Sequence, residues 1–181
     1  MVLHRVIRLV RVLSPLFVPR SSARKERCAS HGKRDAMIVR RIATDADMRA
    51  FGAELAGRCP PGAVVLLRGP LGAGKTTLAD GFITSLGAGH ATSPTFTLAH
   101  RHDGGRMPIW HLDLFRLEDK AQVEELDIVQ YVPADGIALV EWPERAGDIW
   151  PPDRIDVRIE IDGEHRIANV RLSGRCSDVP A

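Results

Sequence analysis

The sequence predicts an α/β fold built around one strand–loop–helix unit, and three observations carry that reading. Gly69-Pro70-Leu71-Gly72-Ala73-Gly74-Lys75-Thr76-Thr77 fits the pattern G-x-x-x-x-G-K-[ST] without a mismatch. Just before it, Ala63-Val64-Val65-Leu66-Leu67 is a short apolar run, as a buried strand should be. After it, Leu78, Phe82 and Leu86 recur every four residues on one helical face, and Gly87 is a stop signal.

The chemistry of such a loop follows from its backbone. Gly69, Gly72 and Gly74 let the chain curl, so successive N–H groups can face phosphate oxygens. The helix start adds its partial positive charge. Lys75 is placed to reach the β- and γ-phosphates, and the Thr76 hydroxyl to coordinate Mg²⁺. The motif alone leaves open which base is bound and what hydrolysis drives.

Length and composition bound the rest. A chain of 181 residues can hold one domain with a proper core. No uninterrupted apolar stretch approaches the ~18–20 residues that span a bilayer, so no membrane partner is expected. Cys28, Cys59 and Cys176 are far apart and in no metal-binding spacing, which fits a reducing, cytoplasmic setting. Charge is uneven: residues 1–36 hold nine Lys/Arg against two Asp/Glu, and the remainder holds 16 against 21. The main body is therefore mildly acidic, which argues against a large nucleic-acid surface of its own.

Residues 1–36 read as a basic, disordered extension. Arg5, Arg8 and Arg11 space an apolar stretch that Ser14-Pro15 and Pro19 would break. A start-site artefact with translation beginning at Met37, a real unstructured tail and a targeting peptide all remain open. Residues 37–173 are expected to form the domain, and 174–181 a frayed end.

Within the domain, Met37-Ile38-Val39 opens as a strand. Thr44-Asp45-Ala46-Asp47 resembles a capping box, with a helix to about Arg58 that turns Met48, Phe51 and Leu55 inward. Cys59-Pro60-Pro61-Gly62 ends it. Phe96, Leu98 and His100 alternate with Thr97 and Ala99, predicting a strand over 93–100. Asp103-Gly104-Gly105 predicts a turn, with 107–116 as the hairpin partner. Residues 119–131 look helical, with an interruption at Asp127-Ile128. Gly136 to Glu141 is an apolar strand ending in a carboxylate. Ile155, Val157, Ile159 and Ile161 alternate with charged residues, as do Ile167, Val170 and Leu172. With Asp162-Gly163-Glu164 between them they form a terminal hairpin with one wet face.

A nucleotide-hydrolysing site needs a second acidic handle on Mg²⁺ and a group to orient water. Glu141 would emerge at the C-terminal end of a buried strand, where open α/β sheets place ligands. Asp113 lies among apolar neighbours and needs a partner, either the site or a salt bridge with Arg116 or Arg101. Ser93-Pro94-Thr95 sets two hydroxyls around a rigid proline, the chemistry of a nucleotide-sensing switch or of an ordinary turn. His100, His102 and His111 lack a zinc spacing and read as strand and turn residues.

With these blocks assembled, the chain resembles the TsaE family, small P-loop ATPases of bacterial tRNA threonylcarbamoyladenosine synthesis. The matching blocks are Gly69 to Thr77, Ser93 to Leu98, His111 to Leu117 and Leu139-Val140-Glu141-Trp142-Pro143-Glu144. The resemblance covers roughly 38–172, and the last three blocks make it specific. It implies a three-layer P-loop NTPase-like fold with a mixed, partly antiparallel sheet. It implies Mg²⁺–ATP hydrolysis, weak in the isolated subunit, and assembly with TsaD and TsaB, with tRNA met only through that complex. By motif position, Gly69, Gly72, Ala73, Gly74, Lys75, Thr76 and Thr77 would hold the phosphates. Thr76, Glu141 and Asp113 would serve the metal, with Glu141, Lys75 and Asp113 as the catalytic set. Ser93 and Thr95 would form the switch, Trp142 would sit beside the nucleotide, and Asp45 near the adenine. Pro70 departs from the acidic residue common there and removes one N–H from the loop. Asp127 stands where a glycine is common.

Two other readings compete. A small-molecule kinase needs a lid bearing several arginines, and residues 87–135 carry arginines only at 101, 106 and 116. A non-catalytic nucleotide sensor would not need Glu141.

Overall fold

The computed structural model describes residues 36–91, 94, 97–117, 122–123, 128–132 and 134–178. In chain order the elements are β1 (Ala36–Ile42), α1 (Asp45–Ala56), β2 (Val64–Arg68), α2 (Lys75–Ser85), β3 (Ala99–His102), β4 (Ile109–Asp113), β5 (Ile137–Glu141), β6 (Arg154–Asp162) and β7 (His165–Ser173). Short 3₁₀ turns lie at Ile128–Tyr131, Pro143–Ala146 and Gly174–Ser177.

The strands form one mixed seven-stranded sheet in the order β1-β7-β6-β2-β5-β4-β3. β6, β2, β5 and β4 run parallel at its centre, and antiparallel pairs close both sides. The α/β fold with a mixed sheet is therefore as the sequence implied. Alternate side chains of β2 explain why both faces are covered. Val65 and Leu67 join the core beneath α1 and α2, with Phe51, Leu55, Leu78 and Phe82. Val64 and Leu66 join a second core on the opposite face, with Leu114, Leu117, Ala146 and Trp150.

Local chemistry sets the two helices. Thr44 caps α1 reciprocally: its hydroxyl accepts from Asp47 N, and the Asp47 carboxylate accepts from Thr44 N. Asp thus serves where Glu is usual in the box. α2 ends in a Schellman motif. Gly87 sits at φ 77, Gly87 N–H donates to Thr84 O, and Ala88 N–H donates to Ile83 O. The helices touch backbone to backbone through two glycines. A Cβ on Gly52 would run into the Leu78 carbonyl, and one on Gly81 into the Arg49 carbonyl. Gly lowers helix propensity, and here it admits the contact that seats α2 beneath the phosphate loop.

Four expectations change. Of the strand expected over 93–100, residues 93, 95 and 96 lie outside the described residues; β3 starts at Ala99, and Leu98 before it takes φ 66 and turns its N–H back to the Pro94 carbonyl at 2.7 Å. Its hairpin with β4 forms as expected, but β4 is confined to Ile109–Asp113. In the terminal hairpin, Ile161 lies beyond the core and is 48% exposed, and the inward set on β7 is Ala168, Val170 and Leu172 rather than Ile167. The chain does not fray directly after 173: Gly174–Ser177 turns once more, Cys176 is fully buried, and Arg175 pairs with Asp153 at 2.6 Å. The helix expected over 119–131 falls largely outside the described residues. Of it, 122–123 are helical and Ile128–Tyr131 is a 3₁₀ turn.

Candidate nucleotide site

The site lies where the parallel strands end. Register pairs Leu67 of β2 with Glu141 of β5, and Glu141 with Asp113 of β4. The carboxylates of two neighbouring strands therefore emerge beside the loop that follows β2, at the strands' carboxyl edge. A cavity of about 410 Å³ opens there.

The loop itself is strained in the manner its sequence demands. Gly69 takes φ 145, and a Cβ on it would strike the Ile159 carbonyl. Gly74 takes φ 98 as the N-cap of α2, which leaves the first-turn N–H groups of that helix directed at the cavity mouth. Pro70 lacks an N–H, but its carbonyl accepts from Ala73 N–H at 3.2 Å and from Lys75 Nζ at 2.9 Å.

Lys75 is buried, and its ammonium donates to Gly69 O as well, at 2.9 Å. It also lies 4.0 Å from the centre of the Trp142 ring. Burial pushes its pKa down from 10.5, and the carboxylates of Glu141, Asp113 and Glu144 offset part of that fall. Backbone carbonyls are weaker partners for a cation than a phosphate oxygen. These two carbonyls hold the lysine over the loop.

Thr76 donates its hydroxyl to Glu141 Oε1 at 3.0 Å, with Oε2 at 3.3 Å. Glu141 is 3% exposed and is held from behind by His111, whose Nε2 lies 3.1 Å from Oε1. Asp113 lines the same cavity, and its Oδ1 accepts from Phe115 N–H at 3.0 Å, fixing the turn after β4. Arg101 does not take up Asp113; it pairs with Asp103. Trp142 stands at φ 58, a left-handed conformation rare for a bulky residue. Its N–H donates to Leu67 O at 3.2 Å. The turn behind it is pinned by Arg68, which bonds Glu144 at 3.2 Å.

Asp45, Gly72, Ala73, Gly74, Lys75, Thr76, Thr77, Asp113, Glu141 and Trp142, all expected from sequence, meet at this one cavity. Gly69, also expected there, does not line the cavity; its carbonyl accepts from Lys75 Nζ behind it. Ser93 and Thr95 lie outside the described residues. The segment leading to them is tied to α2: Asp80 accepts from Ala91 N–H at 3.0 Å and contacts His90 at 3.2 Å. Sequence reasoning missed His111, though it shares the inward face of β4 with Asp113 two residues on, which is a legible signal. It also missed the wall formed by Ile42, Met48, Glu164 and Arg166. Among the described residues no cluster of three or more His, Cys, Asp or Glu forms a metal site by itself, and the three histidines make none. No helix among them is long and apolar enough to cross a membrane.

A family model described as threonylcarbamoyl adenosine biosynthesis protein TsaE matches residues 42–169, from the last residue of β1 to β7. The chain belongs to the TsaE family. A TsaE from Synechocystis sp. is 46% identical over 100 residues, covering 52% of this chain and 63% of that protein. A Bacillus subtilis TsaE is 35% identical, over 65% of this chain and 74% of its own length. A Haemophilus influenzae TsaE is 38% identical, over 60% and 68%. The chain thus spans just under two thirds of the first relative and more of the other two. The crystal structure of Bacillus subtilis YdiB superposes with a TM-score of 0.66 at 26% identity, covering 81% of this chain and 95% of that one.

Proposed function

We propose that this TsaE-family chain is a Mg²⁺-dependent ATPase that serves threonylcarbamoyl modification of the tRNA adenosine beside the anticodon. In this reading it works with TsaD and TsaB proteins, and its turnover resets that pair. The observation that carries the ATPase reading is the link from Thr76 to Glu141. A hydroxyl at a helix start and a strand-end carboxylate share one point at the mouth of a phosphate loop.

The donor set suits Mg²⁺, which prefers a few hard oxygen ligands and keeps waters besides. Thr76 Oγ1 and the Glu141 carboxylate would hold it, with Asp113 alongside. When bound, the ion would neutralise charge on the β- and γ-phosphates. The chain's own groups supply the remainder. The loop N–H groups and the start of α2 bind the phosphates. Lys75 leaves the carbonyls of Gly69 and Pro70 for the β/γ oxygens. Glu141, oriented by His111, aligns a water for attack on the γ-phosphorus, and the bond to the bridging oxygen breaks as the new P–O bond forms. Trp142 lies over Lys75 and shields it from solvent. Neither Arg116 nor Arg145 lines the cavity, and Arg166, which does, stands on β7, across β2 from Glu141, so an arginine finger would come from a partner. A finger can be worth about 10³–10⁵ in rate, and basal turnover is accordingly slow.

The test is phosphate release from Mg²⁺–ATP by the chain alone, then with TsaD, TsaB and tRNA. Slow release that rises sharply with the partners is expected. Release indifferent to them contradicts the assignment to this pathway.

A further inference from the structure

The proposed chemistry gives no work to a carboxylate halfway along α2. Asp80 is half-buried. Its Oδ2 accepts from Arg49 Nε of α1 at 3.0 Å. Its Oδ1 accepts from Ala91 N–H at 3.0 Å and lies 3.2 Å from His90 Nδ1, both in the connection from α2 to β3. Burial pushes its pKa up, but the bonds from Arg49, Ala91 and His90 outweigh that and hold it below 3.8. The anion is therefore well satisfied where it stands, and it ties three parts of the chain together.

This carboxylate sets the course of the connection. The chain leaves α2 through Gly87, and Thr84 Oγ1 donates to Gly89 O at 3.0 Å. Ala91 then meets Asp80, one helical turn nearer the phosphate loop. The connection thus doubles back along α2 towards Thr76. The four steps of helix from Asp80 to Thr76 rise about 6 Å, a distance that two residues of extended chain can cover. Two residues past Ala91 the sequence carries Ser93, and two further on Thr95, the hydroxyls expected at a nucleotide-sensing switch. The far end of the connection is pinned as well, because Leu98 O accepts from Asp113 N–H at 2.9 Å. Asp80 itself does not line the cavity, so its removal leaves the phosphate-binding groups in place. We propose that Asp80 is a positioning residue for turnover: through Ala91 it holds the α2–β3 connection against the phosphate-loop helix, so that hydrolysis depends on it and nucleotide binding does not. The proposal rests on the reading that this cavity hydrolyses ATP.

The experiment compares wild type, Asp80→Ala, Asp80→Asn and Arg49→Gln in the full chain. It reads phosphate release from Mg²⁺–ATP with TsaD, TsaB and tRNA, affinity for mant-ADP, and amide exchange at Ala91. Asp80→Ala should slow release by at least about tenfold, since small misplacements at a reacting centre are costly. Its mant-ADP affinity should stay within about threefold of wild type, and exchange at Ala91 should quicken. Asp80→Asn keeps an oxygen for Ala91 N–H and should recover most of the rate. Arg49→Gln loses the same ion pair between the helices, and so shares that loss of stability, but it keeps the bond to Ala91 and should release phosphate within about threefold of wild type. Asp80→Ala with the wild-type rate overturns the proposal. So does an Arg49→Gln rate as low as that of Asp80→Ala, or a fall in mant-ADP affinity that matches the fall in rate, since either marks a structural role. Unchanged exchange at Ala91 in Asp80→Ala removes the anchor whatever the cavity binds. A wild type that releases no phosphate with its partners overturns the ATPase reading, and this assignment with it.

Discussion

Thr76 and Glu141 lie 65 residues apart in the chain and share a hydrogen bond of 3.0 Å. The bond closes the first turn of α2 onto the end of β5. It exists because β2 and β5 run parallel with Leu67 opposite Glu141, so the strand that delivers the loop and the strand that delivers the acid finish level.

Lys75→Ala should lower ATP affinity by at least about tenfold, since a charge-assisted contact to phosphate is lost. It should also relieve the folded chain of a buried cation. The pKa of Lys75 is held below 10.5 in the folded chain, so the unfolded chain binds more protons between the two values, and wild-type stability rises with pH across that window. The variant should lose this rise. Isothermal titration and urea midpoints at alkaline pH check both halves, and unchanged affinity would undo the phosphate-loop argument.

His111→Phe keeps the buried volume of β4 and removes the group behind Glu141. Partner groups that orient a metal-binding carboxylate are typically worth about 10–100-fold. Partner-stimulated phosphate release should fall by that order while ATP affinity stays within about threefold. Full activity would show that Glu141 needs no such support.

Gly81→Ala forces a methyl group against the Arg49 carbonyl. Overpacking of this kind costs about 1–3 kcal/mol, or several degrees in the melting midpoint for a chain of this size. Gly57→Ala is the control. Gly57 has φ −63, and its added Cβ would come no nearer than 3.4 Å to Glu54 O. A melt that moves equally for both would contradict the helix contact.

His102 is buried, and burial first, then the neighbouring rings of His100 and His111, lower its pKa from 6.5. The unfolded chain therefore binds protons that the folded chain refuses. Stability falls as pH drops below about 6.5, and the loss is complete below the folded value. Urea midpoints at pH 7.5 and 5.0 should differ less in His102→Asn than in wild type. An equal difference would remove His102 as the cause.

Local signals made much of this legible. The phosphate loop, the box at Thr44 and Asp47 and the turn at Gly163 each depend on residues within a few positions. Leu98 was not, because the alternation of Phe96, Leu98 and His100 is the pattern of a strand. Only the return of its N–H to Pro94 reveals the left-handed turn. Ile161 and Ile167 failed for a related reason: alternation gives the two faces of a strand, not where the core stops along it. Arg166 depends on β7 pairing with β1 across more than a hundred residues, and Gly52 and Gly81 on a helix contact. Neither follows from spacing along the chain.

In the proposed function Glu141 turns over a nucleotide held by Lys75 and Thr76. The most direct test is single-turnover phosphate release from Mg²⁺–ATP with TsaD and TsaB present, comparing wild type with Glu141→Gln. Gln keeps the size of the side chain and an acceptor for Thr76 and loses the charge. With Glu141 in that role, ATP binding stays within a few-fold of wild type and release slows by at least about a hundredfold. Release at the wild-type rate would contradict it.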